Sequence, residues 1–92
     1  MVIFRTTVHR SMVVTLNEHT QQAHNKRGIS FRQFTQEIAP DLFMAMFVYN
    51  SESDRETGMA FIKRFVSNEE PGCPNPFGID LTRSGMFELV SE

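Results

Sequence analysis

The sequence predicts an α+β domain in which a small antiparallel sheet is covered on one face by two or three helices. Three observations lead there. Residues 51–66 combine polar caps with a helical apolar stripe, β-prone runs lie near both ends of the chain, and an unbroken apolar run fills positions 42–49. At 92 residues the chain makes a single domain, 1–92. Folding at that length buries roughly 60–65% of the unfolded surface, enough for one modest core.

Val2-Ile3-Phe4 opens a β-prone run that reaches Val8. His9-Arg10-Ser11 interrupts it and Met12-Val13-Val14-Thr15-Leu16 resumes it, which predicts a short hairpin or one long bent strand. Residues 17–28 are almost entirely polar. Asn17 can cap a helix there and Gly28 can end it, with Lys26 and Arg27 well placed in its last turn. Such a helix has little apolar face beyond Leu16 and Ala23, so an exposed hairpin loop turning at Asn25-Lys26-Arg27-Gly28 is the rival reading. Both readings put the segment outside the core, as a contact surface.

Ser30-Phe31-Arg32-Gln33 reads as a capping box, with Phe31, Phe34 and Ile38 on one helical face and Pro40 ending or kinking the helix near Ala39. Residues 42–49 are apolar on every side and therefore central. Their length suits a buried strand, while their Leu, Met and Ala content suits a helix starting at Pro40; both readings stay open, with a slight lean to the strand. The best-specified element follows. Ser51 or Ser53 caps a helix whose first turns hold Glu52, Asp54 and Glu56. Met59, Ile62, Phe65 and Val66 form its buried stripe beside Phe61, and Lys63 and Arg64 sit near its negative end. Beyond the Pro-rich stretch 70–76, Phe77-Gly78-Ile79-Asp80-Leu81 and Met86-Phe87-Glu88-Leu89-Val90 read as strands joined by Thr82-Arg83-Ser84-Gly85.

Nine Phe and six Met with no Trp and one Tyr describe a Phe-rich core patched with Met, or a core plus an adaptable exposed patch built from the same residues. Residues 1–34 carry Arg5, Arg10, Lys26, Arg27 and Arg32 against the single acid Glu18, a local net of +4; residues 35–92 carry four basic and ten acidic side chains, a local net of −6. The two sum to the overall −2. That sorting predicts two electrostatic faces, one attractive to phosphate and one to basic protein.

No constellation of known chemistry stands out. His19 and His24 are five apart, unlike the four-residue spacing of helical metal sites, and Cys73 has no second cysteine. The histidines read as solvated polar residues and Cys73 as a packed or plain surface thiol, without the cationic neighbours that a reactive thiol needs. Phosphate loops, dinucleotide fingerprints and nucleophile elbows do not occur. The expectation is a non-enzyme with no cofactor, no metal and no small-molecule substrate. A lone cysteine, no apparent leader and a longest apolar run of eight residues predict a cytoplasmic protein without a membrane span. Candidate phosphate or partner contacts are Arg5, Arg10, Lys26, Arg27 and Arg32, aided by Gln21, Gln22 and Asn25. Five cations on a net-negative chain predict weak binding to free nucleic acid, so the expected partner is a protein or ribonucleoprotein complex, with RNA or DNA phosphates contacted within it.

In size and character the whole chain resembles the phage-encoded inhibitors of the anti-CRISPR kind, which are tiny, single-domain, cytoplasmic and free of catalytic motifs. The resemblance implies a protein or ribonucleoprotein partner, a CRISPR–Cas surveillance complex in the host-cell cytoplasm, whose access to target DNA is obstructed. No diagnostic motif carries the likeness, and it transfers no functional residues. The alternatives are a toxin-neutralising immunity or antitoxin protein that caps a basic toxin, a small DNA-binding transcriptional regulator, and an enzyme subunit completed by a partner.

Overall fold

The computed structural model describes residues 1–92 and orders them as β1 (Val2–Thr6), α1 (Arg10–Lys26), β2 (Phe31–Ala39), β3 (Leu42–Tyr49), α2 (Glu52–Val66) and β4 (Phe87–Ser91). The strands form one sheet in the order β2-β3-β1-β4, every neighbouring pair antiparallel. A β-α-β-β-α-β chain with that strand order is the split βαβ, or ferredoxin-like, arrangement. The α+β class is therefore as the sequence predicts, with two helices on one face.

Alternation along the strands sorts the two faces. Val2, Phe4 and Thr6 of β1 are buried, as are Phe43, Ala45 and Phe47 of β3. Val2, Phe4, Ala45 and Phe47 meet Leu16 and Ala23 of α1 and Met59, Phe61, Ile62, Phe65 and Val66 of α2 in the main core, while Phe43 packs with Val8 and Val13 in a smaller cluster. α2 matches its sequence signature in full. Ser51 is its N-cap, accepting from the Asp54 amide at 3.1 Å, and every residue of the predicted stripe is buried. The 42–49 run is the strand that its length favours, flanked on both sides by β2 and β1.

Four local expectations are overturned. Residues 12–16 do not extend a strand but lie inside α1. Val13 and Leu16 are buried together with Thr20, Ala23 and His24, a 3–4 spacing that continues past the β-branched run, so helical burial outweighs local β propensity. The helix begins earlier than Asn17, with His9 as N-cap accepting from the Ser11 amide. Asn17 instead ties the middle of α1 to the sheet: it accepts from Gln33 Nε2 at 2.8 Å and donates to Thr35 Oγ1 at 3.2 Å. Segment 17–28 is thus helical nearly to its end, with Gly28 at φ +69° just past it, and it does have a core side.

The apparent capping box at 30–33 opens β2, not a helix. Phe31, Gln33 and Thr35 turn partly inward while Arg32, Phe34 and Gln36 face out, a two-residue period that the helical reading missed. Pro40 and Asp41 make the tight β2–β3 turn, with Asp41 at φ +57°. Finally, residues 77–81 form no strand. Their loop is organised by Asn75, which is 4% exposed. Its side-chain amide donates to the carbonyls of Phe65, Val66 and Ile79, and its Oδ1 accepts from the amides of Phe77 and Gly78. Leu81, fully buried, then plugs the core beneath α2. No helix is long and apolar enough to cross a membrane.

Candidate functional site at the end of α1

The five N-terminal cations are distributed over both layers, and three are committed to ion pairs. Arg5 projects from β1 on the helix-free face of the sheet and pairs with Glu88 of β4. Arg10, at the start of α1, places Nη2 3.3 Å from Glu37 Oε1. Arg27, just past α1, folds inward. Its guanidinium lies 4.2 Å from the centroid of Phe61, donates to the Ala23 carbonyl at 3.1 Å and pairs with Glu70. The Glu70 side chain is only 4% exposed, and Arg64 Nε approaches its other oxygen to 2.9 Å as a second ionic partner. Glu70 therefore joins the C-terminal ends of both helices through two guanidinium groups. A buried carboxylate needs such partners, so this is the structural use of Arg27.

Lys26 and Arg32 are the two of the five without an ion pair, and the fold separates them. Arg32 is on β2, on the helix-free face of the sheet, opposite Val48. Lys26 is exposed in the last turn of α1. It borders a cleft of about 510 Å³ together with His19, Gln22, Ala23, Asn25 and Cys73. The spacing of 19, 22, 23 and 26 puts these residues on one side of the helix, and the Pro-rich loop supplies Cys73 as the opposite wall. Only two of the six lining residues are apolar. The cleft thus offers an ammonium, two side-chain amides and an imidazole, which suits a polar or anionic surface better than an apolar ligand.

Along the sequence Cys73 has no cationic neighbour. The chain's fold brings it beside the Lys26 turn, 47 positions away, a proximity that no local spacing announces. The reverse holds for His24, read from the sequence as solvated. It is fully buried. Nδ1–H donates to the Thr20 carbonyl at 2.7 Å, so Nε2 is the acceptor and takes the Tyr49 hydroxyl at 3.0 Å. The ring is enclosed by Phe31, Phe47 and Phe61. Burial holds its pKa below the usual histidine range; the Thr20 bond opposes this in part, and the nearby Arg27 charge adds a lesser push in the lowering direction. Both ring nitrogens are occupied, so His24 is an aromatic core residue with a fixed tautomer. The continuing 13, 16, 20, 24 pattern was the signal for it. Among the His, Cys, Asp and Glu side chains, no group of three is placed to hold a metal ion.

Comparison with known protein families, with curated proteins and with solved structures finds no match. A ferredoxin-like arrangement hosts many unrelated activities, so function is argued from the surface alone.

Proposed function

We propose that this chain is a non-enzymatic binding protein that docks on a nucleoprotein complex and obstructs its nucleic-acid path, with a CRISPR–Cas surveillance complex as the partner. The observation that carries the reading is the Lys26 cleft, a cationic and amide-rich surface on a domain whose other N-terminal cations are mostly neutralised by its own carboxylates. Lys26 reaches a phosphate of the bound RNA, and Gln22 and Asn25 add neutral hydrogen bonds. The start of α2, where Glu52 and Glu56 are exposed, faces the Lys- and Arg-lined channel that otherwise holds DNA. Such complementarity governs encounter rate and orientation more than affinity.

Titrating the purified chain against an RNA-loaded surveillance complex tests this. The expected result is a stable complex that no longer binds its target duplex, alongside no tight complex between the chain and free duplex near physiological salt. Binding to a basic nuclease toxin without binding to surveillance complexes would replace this reading by that of an immunity protein. Submicromolar binding to free duplex would replace it by that of a transcriptional regulator.

A further inference from the structure

We infer that the helix-free face of the sheet is a homodimer interface, on which a second copy of this chain packs sheet to sheet across a two-fold axis. This face does not depend on the docking surface proposed above. Its centre is apolar. Phe34, Met46 and Ile3 stand side by side across β2, β3 and β1, and Phe34 is 54% exposed. Met44 and Val48 extend the patch along β3 on the same side of the pleat. The two helices cover only the opposite face, so this one has no partner within the chain. Thioether side chains suit it, because methionine adapts its shape to an opposing surface.

The charges on the face identify the occupant. Two positions matter, at opposite corners. Arg32 lies on the outer strand β2, level with Val48. Glu88 lies on the other outer strand, β4, in the row of Arg5, Met44 and Gln36. With strands about 4.8 Å apart and about 6.8 Å between alternate residues, the point midway between these corners is the Met46–Ile3 pair. A two-fold axis lying in the interface and passing through that pair carries Arg32 of each copy over Glu88 of the other. The axis runs diagonally to the strands, and the two sheets then cross near the orthogonal packing angle. Glu88 already pairs with Arg5 through one oxygen, and a carboxylate can accept a second guanidinium. An apolar centre with opposite charges balanced about it is self-complementary, as an isologous contact requires.

Size agrees. The fold measures 33 × 26 × 20 Å between its Cα extremes. The broad face accordingly offers on the order of 800 Å² at most, which is what each partner of a standard specific interface contributes. The whole face is needed, so the dimer is reversible on dilution.

Sedimentation equilibrium of the full chain tests the proposal, with circular dichroism confirming that each variant is folded. The wild type should show a dimer that dissociates on dilution into the micromolar range or below. Met46→Asp should be monomeric. Arg32→Glu and Glu88→Arg should each weaken association at least about tenfold, since like charges then face one another twice per dimer. An equimolar mixture of those two variants should recover a dimer, because a mixed pair restores one contact in swapped form and keeps the other native. A wild type that stays monomeric at the highest soluble concentration overturns the proposal. So does a Met46→Asp protein that still dimerises, or a mixture that associates no better than its components.

Discussion

Tyr49 locks His24 into one protonation state: its hydroxyl donates to Nε2 at 3.0 Å while Nδ1–H is spent on the Thr20 carbonyl at 2.7 Å. The pair joins α1 to the end of β3, and burial pushes the Tyr49 phenol above its ordinary pKa just as it pushes His24 below its own. A proton added to His24 must enter a site enclosed by rings, facing the Arg27 charge.

That arrangement makes stability depend on pH. The unfolded chain binds a proton at His24 near pH 6.5, whereas the folded chain resists it to lower pH. The unfolded state then holds more protons, so stability rises with pH across this window. The contribution is complete above about pH 6.5 and is lost as pH falls towards the depressed folded value, with a limiting slope of about 1.4 kcal/mol per pH unit. Urea unfolding at a series of pH values measures it. The double variant His24→Leu/Tyr49→Phe, which removes both polar partners together, should flatten that part of the profile. An unchanged slope would assign the dependence to other groups.

Gly58 is required by the same tyrosine. A Cβ at position 58 would lie 2.5 Å from Tyr49 Cε1 and 2.6 Å from its hydroxyl oxygen. The ring is stacked on Phe31 and hydrogen-bonded to His24, so it has reason to stay. Alanine gains about 1 kcal/mol of helix propensity over glycine, but overpacking should outweigh it. Gly58→Ala is expected to lose about 1–3 kcal/mol on denaturant unfolding. A stabilised Gly58→Ala protein would show that Tyr49 moves aside freely.

Neighbouring cations at the end of α1 should respond in opposite ways. Lys26 has no ion pair and is exposed, so Lys26→Glu should change stability by no more than about 0.5 kcal/mol and weaken binding to a nucleoprotein partner by a decade or more. Arg27→Glu would place a second carboxylate against the 4%-exposed Glu70 and should cost about 3–5 kcal/mol. Exposed Lys63 on α2 is the control reversal, expected to leave both stability and binding nearly unchanged. Equal loss of binding from Lys26→Glu and Lys63→Glu would mean that the partner senses only overall charge.

Asn75→Leu removes a side chain that serves five backbone groups; the Phe65 and Val66 carbonyls keep the Asn68 and Leu81 amides and the Gly78 amide keeps the Asn75 carbonyl, so the Ile79 carbonyl and the Phe77 amide are left to find other partners. With each unsatisfied buried group costing about 1–3 kcal/mol when water cannot replace it, the expected loss is about 2–4 kcal/mol. Asn75→Asp, nearly the same size, keeps the acceptor for Phe77 and Gly78 but turns an anion towards the carbonyls, so it should fail to rescue. Thermal melts of the two variants decide this. Full stability of Asn75→Asp would show that the acceptor alone holds the loop.

α2 was legible in the sequence because its signals are local: a serine cap, acids in the first turn and an apolar stripe of helical period lie on or immediately before one 15-residue helix. The last strand was legible to within a residue, at 86–90 against the observed 87–91, as was the class of the domain; the apolar run 42–49 was legible as central but open between strand and helix. The two-sided charge was legible as a composition but not as a surface. Which arginine is left without an ion pair depends on which carboxylate the fold brings beside it, and Arg5, Arg10 and Arg27 find theirs 83, 27 and 43 positions away. Residues 12–16 and 30–39 carry local preferences that the packed state overrides. The first turns helical because Val13 and Leu16 share a face with Ala23 and His24, and the second becomes extended because β3 offers it a ladder. Local propensities of a few tenths of a kcal/mol per residue settle an element only when burial agrees with them. Local signals in the chain suffice for the fold class, for α2 and for the central place of the apolar run 42–49. The partners of each charge, the burial of His24 and the cleft around Lys26 were decided by tertiary structure, because each depends on contacts between residues far apart in the chain.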